Sequence, residues 1–96
     1  MTAAFFVTTT RRFDREFKKL AAKQHGLPEM FRQVLEILKA DPYNRGRRNP
    51  IKKLEGVAAG EGQYRIRTGR FRFRFDVDGQ TVVLMACSLR REDSYR

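Results

Sequence analysis

The chain has 96 residues, 41% hydrophobic and 11% aromatic with eight Phe, a length and core content that fit a single domain over 1–96 and argue against disorder. Its 21 Lys and Arg against 11 Asp and Glu leave a net charge of +10, which points to a polyanionic partner, nucleic acid ahead of an anionic membrane surface. The longest apolar runs, such as Val82–Cys87, are too short to span a bilayer, so no membrane partner is expected.

Phe5-Phe6-Val7-Thr8-Thr9 is aromatic and β-branched and reads as a first strand. Thr10 is a suitable N-cap for a helix whose Phe13, Phe17, Leu20 and Ala21 fall on one stripe, with Gly26 as its stop. Pro28 suits the first turn of a second helix, in which Met30, Val34, Ile37 and Leu38 repeat that spacing before Asp41-Pro42 ends it. From Asp41 to Pro50 the chain carries Asn, Gly and two Pro together with Arg45, Arg47 and Arg48, and reads as a mobile basic loop. Ile51-Lys52-Lys53-Leu54 follows, Lys52 and Lys53 reading equally as a solvated strand edge or as anion ligands. A Gly-rich connection then runs from Gly56 to Gly62.

The pattern now switches to period two, first in Tyr64-Arg65-Ile66-Arg67 and then in Phe71 to Val77. Asp78-Gly79 marks a tight turn, and Thr81–Ser88 reads as a strand that is centrally placed or covered on both faces. The order is β-α-α-β-β-β, an α+β domain with two helices on one face of an antiparallel sheet. Cys87 lies in the last apolar run without a partner in the chain and reads as core filler. With no signal-peptide pattern at the N-terminus, that fits a reducing cytoplasm. His25, the sole histidine, falls between the helices and reads as structural or incidental.

The two alternating strands carry the functional signal. Tyr64 and Ile66 must share the core face with Phe71, Phe73 and Phe75, so Ile66 opposes Phe73 in an antiparallel pair. That register sets Arg67 against Arg72 and Arg65 against Arg74, four guanidinium groups on the face away from the helices. Like charges directly opposed cost roughly 0.2–1 kcal/mol per pair, and a purely structural surface would mix signs. A phosphate-binding platform is the better reading, because the planar guanidinium fork suits phosphate oxygens and stacks on bases. The Phe71, Phe73, Phe75 series matches the period of Tyr64 and Ile66 and reads as core rather than as a base-stacking surface.

With these residues assembled, the sequence resembles the RelE/ParE superfamily of toxins from type II toxin–antitoxin pairs over essentially its whole length. The resemblance is carried by Phe17-Lys18-Lys19-Leu20, the Asp41-Pro42 break, Lys53-Leu54-Glu55-Gly56, Gly62 to Arg67, Gly69-Arg70-Phe71-Arg72 and Arg90 to Arg96. It implies a metal-independent, ribosome-dependent endoribonuclease that cuts mRNA in the A site, the ribose 2′-OH attacking the adjacent phosphate. It also implies a cognate antitoxin, a separate chain that folds on the toxin.

By position, the resemblance makes Arg72 the central phosphate-stabilising arginine and Arg65 and Arg67 its neighbours on the preceding strand. It places Arg90 or Arg91 after the last strand and Tyr95 as the C-terminal aromatic. Arg65, Arg67, Arg72, Arg91 and Tyr95 are thus the expected catalytic set, with Arg74, Arg90, Lys52, Lys53, Arg45, Arg47 and Arg48 as RNA contacts. Some members have lysines at Arg65 and Arg67, and many have a histidine where this chain has Leu89. Arginine is a poor general base, so Tyr95, Glu92 and Asp93 remain as candidates for proton transfer. No cofactor is expected, and the spacing of His, Cys and carboxylates suggests no metal site. The competing readings are a ParE-like gyrase inhibitor and a non-catalytic RNA-binding module.

Overall fold

The computed structural model describes residues 4–89. In chain order these form β1 (Phe6–Thr9), α1 (Arg11–Ala21), α2 (Leu27–Ala40), β2 (Ile51–Lys53), β3 (Tyr64–Thr68), β4 (Phe71–Asp78) and β5 (Thr81–Leu89). Thr10 caps α1 as expected, its side chain accepting from the Phe13 N–H at 3.1 Å. Gly26 is not the stop of that helix. The helix ends at Ala21, and Gly26, in right-handed helical conformation, is the N-cap of α2 with Pro28 in its first turn. Asp41 is the C-cap of α2, where the following Pro42 disfavours a further helical residue.

The five strands lie in the order β1-β5-β4-β3-β2. Strands β2 to β5 form an antiparallel meander, but β1 runs parallel to β5, with Phe6 opposite Thr81 and Thr9 opposite Leu84. The sheet is therefore mixed, not purely antiparallel, and has one strand more than the expected order. Strand β2 is three residues long, too short for a period to show, and pairs Ile51 with Ile66. The direction of β1 against β5 is a pairing some 75 residues apart in sequence, which no local turn fixes.

The buried core lies between the helices and one sheet face. It joins Phe13, Leu27, Val34 and Leu38 to Ile66, Phe71, Phe73, Phe75, Val82, Leu84 and Cys87. Phe13, Phe31 and Phe73 pack ring to ring with centroids 5.6–6.3 Å apart, and Phe17 sits 4.9 Å from Phe31. The alternating Phe residues of β4 are thus core, as their period required. Strand β5 holds an interior place in the sheet, which explains its apolar character. Gly79 takes the first central position of the β4–β5 turn with φ +62°, the left-handed region open to glycine.

The β4–β5 ladder shifts register between Arg74 and Phe75: Phe75 faces Leu84 while Arg74 faces Ala86, leaving Met85 as the extra residue of a bulge. Before the bulge Val82 and Leu84 point to the core; after it Cys87 does, while Ala86 and Ser88 flank the arginines. Strand β1 stops just there. The Thr10 N–H closes its ladder on the Leu84 carbonyl at 3.1 Å, and the chain turns into α1.

Candidate nucleic-acid interface

The register places the four arginines as the alternation required. Arg65 pairs with Arg74, Ile66 with Phe73 and Arg67 with Arg72. Two rows cross the sheet on the face away from the helices: Lys52, Arg65, Arg74, Ala86 and, beside it, Arg67, Arg72, Ser88. Directly opposed residues in such a ladder lie about 5 Å apart at Cα, so the guanidinium groups share one patch. Ala86 and Ser88 are small, and the bulge aims them at this patch, where a large side chain would cover Arg74 and Arg72.

Arg74 also has a structural task. Its Nε donates to the Gly62 carbonyl at 3.1 Å and its Nη2 to the Glu61 carbonyl at 2.9 Å. The same loop is held by Asp76, a buried carboxylate that accepts from the N–H groups of Gly60, Gly62 and Gln63 at 2.8–3.0 Å. Gly62, at φ +83°, approaches so closely that an added Cβ would stand 2.9 Å from the Arg74 Cβ. The Gly-rich connection is therefore a folded brace for the arginine strand.

Helix α1 contributes two groups that the alternation of the strands does not reveal. Beyond the end of β1 the edge of β5 is covered by Glu16, whose Oε1 accepts from the Cys87 N–H at 3.0 Å. Its Oε2 accepts from Arg12 Nε, also at 3.0 Å. Arg12 and Glu16 thereby line a cleft of ≈ 370 Å³ with Arg65, Arg72, Arg74 and Ser88. Cys87 lies beneath it. Burial, with a smaller contribution from the Glu16 charge, pushes its thiol up to about 12, as suits core filler.

No family model matches the sequence, and no curated protein matches it significantly. The fold does have solved relatives. A chain of the RelB–RelE antitoxin–toxin complex from Methanococcus jannaschii superposes with a TM-score of 0.63 and 21% identity, over 88% of this chain and 92% of that one. The archaeal RelE–RelB complex from Pyrococcus horikoshii gives 0.65 at 22% identity, over 90% and 94%. A RelBE toxin–antitoxin complex from Mycobacterium tuberculosis gives 0.60 at 23% identity, over 94% and 95%. The fold is the RelE fold.

Within that RelE fold the remaining expected residues separate. Lys53 lies on the opposite sheet face from Lys52, its ammonium 5.8 Å from the Tyr64 ring centroid. Arg45 stacks over Tyr43 at 5.3 Å, and Tyr43 packs edge-on against Phe5 and Tyr64. Lys53 and Arg45 therefore each sit against a tyrosine, although Lys53 also lines a groove with Lys52 and Arg74, while Arg47 and Arg48 are exposed in the loop. That loop is stitched together: Asn44 donates to the Asn49 carbonyl at 2.7 Å and accepts from its N–H at 3.1 Å. Asp41 accepts from the N–H groups of Gly46 and Arg45, which hold its carboxyl below the usual range. His25 is exposed between the helices. Arg90, Arg91, Glu92, Asp93 and Tyr95 lie outside the described residues. Among those described, no group of three or more His, Cys, Asp or Glu is placed to hold a metal ion, and no helix is long and apolar enough to cross a membrane.

Proposed function

We propose that this chain is the toxin of a toxin–antitoxin pair, acting in the cytoplasm as a metal-independent, ribosome-dependent mRNA endoribonuclease. The observation that carries the reading is the pairing of Arg65 with Arg74 and Arg67 with Arg72, beside a cleft, in a fold shared with toxin–antitoxin complexes. A phosphate attacked by the neighbouring 2′-OH gathers negative charge on its non-bridging oxygens. Guanidinium groups already held in place stabilise that charge with little reorganisation. The sheet fixes the Cα positions of Arg72 and Arg65, and the Asp76 loop stiffens the strand that carries Arg72.

In this reading Arg72 is the central phosphate ligand, and Arg65 and Arg67 neutralise the same phosphate. Arg91 and Tyr95 complete the site on the strength of the sequence resemblance. Arg74, Arg90 and Lys52 extend the contact along the RNA backbone, and Lys53, Arg45, Arg47 and Arg48 contribute outlying, sequence-independent attraction. A cognate antitoxin is the expected protein partner.

The reading is tested by inducing the chain alone in cells and mapping mRNA 5′ ends beside an Arg72→Ala control. Cuts within translated codons that vanish with Arg72→Ala are expected. Growth arrest with DNA-damage signalling and no cuts would instead indicate a ParE-like gyrase inhibitor. RNA binding with neither toxicity nor cuts would indicate a non-catalytic module.

A further inference from the structure

Cleavage by a 2′-OH needs a group to take its proton, and a guanidinium cannot do so at any physiological pH. Among the described residues that line the arginine cleft, the side chains other than arginine that bear a titratable or hydroxyl group are Glu16, Cys87 and Ser88. The Cys87 thiol stays protonated at neutral pH, and a serine hydroxyl is harder still to deprotonate. The carboxylate of Glu16 is left.

Its position is fixed from both sides. Oε1 accepts from the backbone N–H of Cys87 on β5, and Oε2 accepts from Arg12 Nε one turn earlier on α1, each at 3.0 Å. Two bonds set the plane and direction of the carboxylate, and each oxygen keeps a lone pair for a further donor. Among the described residues, the charged and titratable groups around it in the cleft are Arg12 on its own helix, Arg65 on β3, Arg72 and Arg74 on β4, and Cys87 on β5. Lys19 and Lys23 line a second groove along the same side of α1, which Glu16 also borders. Of the described residues that line the arginine cleft, Glu16 is the one carboxylate, set beside the guanidinium groups that would bind a phosphate.

Resting on the nuclease reading above, we propose that Glu16 is the general base of the cleavage. Its carboxylate takes the proton of the ribose 2′-OH as the 2′ oxygen bonds to the phosphorus of the adjacent phosphate. The bond from phosphorus to the 5′ oxygen breaks, and that oxygen takes a proton from water. The products are a 2′,3′-cyclic phosphate end and a 5′-hydroxyl end, and the hydroxide left behind removes the proton from Glu16. Arg12 is then a positioning residue, orienting the carboxylate through its Nε bond.

Glu16 also caps the β5 edge, so the test must separate the two roles. Glu16→Gln keeps an amide oxygen for the Cys87 N–H and removes the base. Cleavage of a defined mRNA on purified ribosomes with an empty A site is followed across pH, alongside KM and melting temperature. The expected result is a kcat lower by about 100-fold or more, with KM nearly unchanged and the acid limb of the kcat–pH profile gone. A Glu16→Gln protein that cuts within a few-fold of the original, or keeps the acid limb, overturns the assignment. Should Glu16→Gln lower the melting temperature, Glu16→Asp decides, because it retains a carboxylate. Recovery of the acid limb supports the base, and a profile like that of Glu16→Gln overturns it. Original protein that binds ribosomes and cuts nothing at any pH contradicts the nuclease reading itself, a result distinct from an active Glu16→Gln.

Discussion

Single residues divide by whether their neighbours can be inferred from local pattern. The four arginines could be placed from sequence because two constraints meet on them: strict alternation on both strands, and the demand that Ile66 and Phe73 share the core. Asp76 could not, because its partners are the backbone N–H groups of Gly60, Gly62 and Gln63, and glycine loops leave no side-chain signature. Glu16 was hidden for a different reason. Its role depends on where α1 docks against a bulge in β5, and neither the docking nor the bulge has a period. Cys87 read correctly as core, and its buried, proton-holding thiol carries a prediction. In the native protein at pH 8 it should resist iodoacetamide over hours, and react promptly once unfolded in guanidinium. Fast native labelling would mean that β5 and α1 part readily at that site.

At the scale of elements, the helices were legible to within a few residues, since an 11-residue and a 14-residue helix each present a full apolar stripe. Strand β2 and the parallel pairing of β1 were not, because three residues show no period and a pairing between chain ends has no local determinant. The loop from Gly56 to Gly62 shows how a connection can serve a strand. Replacing Asp76 by Ala strands three N–H donors and frees the loop that also receives Arg74. A loss of about 3 kcal/mol is expected, a fall in melting temperature of roughly 15 °C for a domain of this size. Asp76→Asn should fall between the two, because an amide oxygen still accepts but carries no charge. Melting both variants by circular dichroism checks this, and an unchanged Asp76→Ala melt would remove the loop from its supporting role.

For the molecule as a whole, net charge says less than its distribution. A charge of +10 on 96 residues would attract RNA wherever it sat, through counterion release. What the fold adds is concentration: one sheet face carries Lys52, Arg65, Arg67, Arg72 and Arg74, while Arg45 and Lys53 sit against tyrosines. In the proposed nuclease this face cleaves RNA and the rest of the basic surface only attracts it. The direct measurement is the cleavage rate of a defined mRNA on purified ribosomes for Arg72→Ala and Arg65→Ala beside Arg47→Ala and Arg48→Ala. The sheet variants should lose about 100-fold or more in kcat, and the loop variants about threefold or less, chiefly in KM. Equal losses from the two sets would mean that charge alone, and not the arginine face, is what the reaction requires.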